Sequence, residues 1–182
     1  MTKSMTGSFY LTETVTLPAA SLANTRVTGT IDLSAYVNVP TGQAIAIESC
    51  DFITQVFSDF GQNVNGMVAS NGAISTQLTD LNSGGVFVRA DNHSLVASSA
   101  LNIDVANNVG THTADLYPDN FGPANLSEAF LVVNDTLYLT TGNDNAAVGT
   151  GAVYVTARIR CRVVKLSTKD WMAIAIQSTA DQ

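Results

Sequence analysis

Arg158, Arg160 and Arg162 alternate with Ile159, Cys161 and Val163 in the run AVYVTARIRCRVVKLSTK. Three guanidiniums spaced by two can hold a row of carboxylates, phosphates or anionic head groups, each through a planar fork of donors. Residues 1–157 carry three basic side chains (Lys3, Arg26, Arg89) against thirteen acids, a net of −10, whereas residues 158–169 carry five basic and no acidic ones. The chain as a whole has a net charge of −7. That excludes a broadly basic nucleic-acid binder and leaves a local contact with something acidic. An acidic protein surface, nucleic acid or anionic membrane lipid, and plain solvent over a sheet face are the candidates, and three arginines neutralise few phosphates.

Other chemistry is sparse. His93 and His112 stand alone in loop-like sequence, with no HExxH or CxxC partner, so zinc is not expected. Chain order permits a Ser–His–Asp site, yet no GxSxG elbow is present. Asp115 and Asp119 flank Leu116-Tyr117-Pro118, with Asn120 next; these oxygens are candidate calcium ligands, set against plain Asx-turn chemistry. Gly84-Gly85 and the loop GNDNAAVGTG lack the lysine and the strand–loop–helix setting of a phosphate loop. Cys50 and Cys161 lie in strand-like runs and are expected as buried free thiols, although spacing alone leaves a disulfide across a sandwich open. No catalytic residue, no cofactor beyond a calcium candidate and no small-molecule substrate is expected, so the chain does not read as an enzyme.

The elements that must position these residues are strands. The chain has 21 Thr, 19 Val and 9 Ile, while charged residues make up only 13%. β-branched residues suit a pleated surface, and surface helices would want more Glu and Lys. Low charge also suits a subunit whose surface is covered by neighbours. Ser8–Leu17, Arg26–Leu33 (with Gly29 as a bulge), Gln43–Phe57 (with a bulge or break near Ser49–Asp51), Gly66–Ser70, Ala73–Asp80 (a strand or a single helical turn), Val86–Ala90, Ser94–Ala106 (best seen at Ala100–Val105), Ala129–Val133, Thr136–Thr141 and Ala152–Leu166 read as strands or strand-rich segments. Asn107–Asn125 reads as a long irregular loop. The organisation expected is a flexible arm over 1–7, one antiparallel β-sandwich of eight to ten strands over 8–166, and a C-terminal tail over 167–182. In that tail Ser167 precedes Asp170 as a capping pair, and Trp171, Ile174 and Gln177 share a helical face. The tail is a short helix or an extension of the sheet, and Trp171 must be covered by its own sandwich or by a neighbour.

The polar arm MTKSMTGS, the strand count, the long Gly/Asn/Pro loops at 107–125 and 142–151 and the short tail together resemble a single jelly-roll viral capsid protein. The resemblance implies an all-β jelly roll that self-assembles into a virion shell, with copies of itself and other virion proteins as partners. It implies subunit-interface roles for Arg158, Arg160, Arg162 and Trp171. Many such proteins have a basic arm where this chain has only Lys3, so genome contact through the arm is not implied. Met1–Ser8 has no apolar core of a signal peptide, and no run is long enough to span a membrane, so synthesis in a host cytoplasm and location in the virion are expected. The other readings are a carbohydrate-binding or adhesin-like sandwich using Tyr117, Phe121, Tyr138 or Tyr154, and a filament subunit.

Overall fold

The computed structural model describes residues 3–57, 66–116 and 130–180. Ten strands and one helix form among them: β1 (Lys3–Ser4), β2 (Phe9–Leu17), β3 (Arg26–Asp32), β4 (Gln43–Val56), β5 (Gly72–Thr79), β6 (Leu95–Asp104), β7 (Val109–Leu116), β8 (Phe130–Val132), β9 (Thr136–Asp144), β10 (Val153–Lys165) and α1 (Thr168–Thr179).

One sheet runs β2–β10–β4–β8, with β1 beside the far end of β10, and the other runs β3–β9–β5–β6–β7. Every pairing is antiparallel. With β1 and β7 set aside, eight strands remain. The first sheet then holds the first, eighth, third and sixth of them in spatial order, and the second sheet holds the second, seventh, fourth and fifth. This is the double Greek key of a jelly roll. β7 is an added strand on the open edge of the second sheet.

The inward face of each strand follows from alternation. On β10, Val153, Val155, Ala157, Ile159, Cys161 and Val163 are buried and meet Ile31, Leu78, Leu137 and Leu139 of the other sheet or their neighbours in the core. Each such aliphatic residue contributes about 1.5–3 kcal/mol when fully buried. Cys50 and Cys161 stand in this core as free thiols, and burial pushes both up to about 12.

Several local expectations change. β3 keeps an unbroken register through Gly29, so there is no bulge. A Cβ at Gly29 would lie 2.9 Å from Val15 Cγ2, and glycine there lets β3 lie close against β2. Val86–Ala90 is not a strand: Gln77 Nε2 donates to Val88 O and Val88 N donates to Gln77 Oε1, both at 2.8 Å, pinning this loop onto the outer face of the second sheet. Gly66–Ser70 contributes only a bridge between Val68 and Val148. The stretch read as a loop from Asn107 contains β7. Residues 3–6 run along the end of β10, where Met5 N donates to Val163 O at 2.8 Å and Val163 N donates to Thr6 Oγ1 at 3.0 Å.

The tail is helical for three turns. Ser167 caps it, accepting from Asp170 N at 3.1 Å while its hydroxyl donates to Asp170 Oδ2 at 2.7 Å. Trp171, Ile174 and Ala175 pack on Ala44, Ala46, Val133, Val164 and Leu166, so the helix docks on the outer face of its own first sheet.

Candidate functional site

The arginine stripe lies on the outer face of the first sheet. Arg158 sits between Thr12 and Asp51, and Arg160 between Tyr10 and Ser49. Between Arg160 and Cys161 the register shifts, because β4 has one residue more than β10: Ser49 faces Arg160 and Ile47 faces Cys161, leaving Glu48 as the bulged residue. The expected irregularity thus falls beside the predicted segment, at Glu48. It explains why the apolar parity of Gln43–Phe57 changes along the strand.

The bulge decides where the stripe's charge goes. Arg160 Nε lies 3.0 Å from Glu48 Oε2, and Arg162 Nη1 donates to Glu48 Oε1 at 3.2 Å. Ser8 Oγ lies 2.8 and 3.0 Å from the same two oxygens and completes the grip. The Glu48 side chain is 12% exposed, against 48% for Arg160 and 30% for Arg162. One partly buried carboxylate therefore holds two guanidiniums within the chain. Arg158 instead lies over the ring of Tyr10, 5.3 Å from its centroid, and both are exposed. Glu48 was missed by sequence reasoning. The signal was present in the broken parity of β4, since a bulge re-aims the side chain of its extra residue.

The remaining candidates separate. Asp115 accepts from Ser99 Oγ at 2.8 Å, while Asp119 and Asn120 lie outside the described residues. Among the described residues no group of three or more His, Cys, Asp and Glu is placed to hold a metal ion. His112 Nδ1 lies 3.2 Å from Ser99 Oγ and 3.7 Å from Asp115 Oδ1. A relay needs one imidazole nitrogen on the nucleophile and the other on the acid, whereas here one nitrogen faces both and the serine hydroxyl bonds directly to Asp115. The cluster ties β6 to β7. His93 lies in the turn before β6. Tyr138 belongs to the second sheet and Tyr154 to the first, each on an outward position, so they form no common platform; Tyr117 and Phe121 lie outside the described residues. Trp171 is half-buried against its own sheet.

The fold and these faces define a jelly-roll sandwich. No family model matches the chain, and no curated protein matches it. Among solved structures it is similar to a chain of Desmodium yellow mottle tymovirus at 8% identity, covering 88% of this chain and 90% of that one with a TM-score of 0.35. It is also similar to VP1 of trichodysplasia spinulosa-associated polyomavirus, solved with GM1 oligosaccharide, at 12% identity, covering 90% of this chain and 98% of that one with a TM-score of 0.38. The assignment to the jelly roll rests on the strand order itself.

Proposed function

We propose that the chain is a non-enzymatic wall subunit that assembles with copies of itself into a virion shell. The observation that carries this reading is β7. All eight of its residues are exposed, Val109 by 49% and Leu116 by 40%, and no described strand pairs with its outer edge. A hairpin strand without a buried face is marginal in water, and an unpaired edge is a template for another strand. A second copy adding to Val109–Thr113 would supply both the missing hydrogen bonds and the missing cover. The positive φ of Ala114, 53°, limits the regular edge to that stretch.

The stripe has a smaller part in this reading. Arg160 and Arg162 are occupied by Glu48, so the subunit contact falls chiefly to Arg158 and Tyr10. Trp171 acts by seating α1, whose Met172 and Ile176 point outward and are 54% and 66% exposed. Jelly rolls host many functions, so the reading rests on the uncovered strand and the sparse charge rather than on the fold alone.

Light scattering during size-exclusion chromatography, with negative-stain imaging, tests it. Discrete oligomers or shells are expected. Val109→Lys combined with Leu116→Lys should leave a folded monomer. A parent chain that stays monomeric at high concentration at low and high salt overturns the proposal.

A further inference from the structure

A cavity of about 520 Å³ opens between α1, the 90–93 turn and β8, walled by Asp80, Asp91, His93, Phe130, Leu131 and Ile174 among others. Its size lies within the range of small-molecule sites, about 300–1,000 Å³. No lysine or arginine is among its described lining residues. Asp80, just beyond β5, is 1% exposed. Its Oδ2 accepts from Ser178 Oγ at 2.6 Å, while Oδ1 is buried with no hydrogen-bond partner among the described residues. Burial raises this carboxyl to about 6, so it is mainly ionised at neutral pH. A buried carboxylate with an unsatisfied oxygen calls for a compensating charge. Among the described residues no hydrogen-bonding group reaches that oxygen to supply one. β8 and α1 bring Phe130, Leu131, Ile174 and Gln177, and Asp91 adds a second acid whose partner, Arg89, lies 3.7 Å away on an exposed surface.

We propose that this cavity binds a small primary ammonium carried on a short aliphatic stem, with the cation drawn to Asp80 and the stem against Phe130, Leu131 and Ile174. The site is independent of β7 and of assembly. Shape alone would accept a neutral alcohol equally well, so the charge preference is the signature.

NMR titration of the full chain with n-pentylammonium and with 1-pentanol tests this. At pH 7.5 the ammonium should bind about tenfold tighter, moving the amides of Leu95, Ile174 and Gln177. The preference should shrink as pH falls below about 6, where Asp80 takes up its proton. Asp80→Asn should abolish the preference, and Ile174→Phe, which fills the cavity without touching the carboxylate, should weaken both probes. His93 shares the wall, and His93→Gln should retain the pH profile. Equal binding of the two probes at pH 7.5, binding of neither, shifts confined to other residues, or an unchanged preference in Asp80→Asn would overturn the proposal.

Discussion

The outer face of the β10–β4 pair is two surfaces end to end. Over Arg158–Arg162 it is wet: two arginines share Glu48, and the third lies on Tyr10. Two residues further, at Val164, the same face of β10 is fully buried with Ala44 and Ala46 beneath α1. The alternation on β10 never breaks. What changes is the partner strand, which spends one residue on the bulge at Glu48 and then presents alanines outward. The cover differs too: there the ring of Trp171 packs over Ala44, Ala46 and Val164. A strand's outward residues thus take their role from what lies over them as much as from their own pattern.

That contrast can be broken most strongly by Val164→Arg, which extends the arginine repeat into the helix-covered half. We expect a loss of about 3–5 kcal/mol in urea unfolding, the usual scale for an unpaired buried charge; a loss near zero would make the two halves equivalent. Next comes the acid under the helix end. The Asp80 carboxyl is raised to about 6 in the folded chain against 3.8 for the free side chain. The folded state therefore binds more protons than the unfolded state between these values, and stability from this group falls as pH rises from about 4 to about 6. Asp80→Asn should be more stable than the parent at pH 7.5 by about 3 kcal/mol, with the gap closing near pH 4 in thermal or urea melts. On the wet side, Glu48→Gln should cost about 1 kcal/mol, reduced in high salt because both arginines are partly exposed. Arg158→Ala should lower monomer stability by only about 0.5 kcal/mol, the low end for an exposed cation–π contact; its larger effect belongs in the oligomer distribution seen by light scattering.

Much of this sandwich is legible in the sequence where one face is buried. Ile159, Cys161 and Val163 point inward because alternation under a core leaves no other register, and the Ser167–Asp170 cap is local chemistry that needs no partner. β7 was unreadable for the opposite reason. The run VGTHTADL has no buried face within the chain, so no alternation marks it. For Glu48 the broken parity of β4 announces an irregularity, but which residue is the extra one depends on the register with β10, over a hundred positions away. Asp80 reads only as the last residue of the segment Ala73–Asp80, and only the return of Ser178, 98 residues later, makes it a buried acid.

The order of strands in the first sheet also sets a timetable for synthesis. β10 lies between β2 and β4, so until residues 153–165 have been made β2 has no sheet partner and β4 has only the three-residue pairing with β8 at 130–132. β4 ends at Val56, and at about 5–20 residues per second its apolar face waits several seconds or more on the growing chain. The nascent protein passes through a stage when Ile45, Ile47 and Cys50 are made but unsheltered, and cellular holdases that bind exposed apolar strands have that interval in which to act. Mutations that leave the finished sandwich intact can still lower yield by lengthening it.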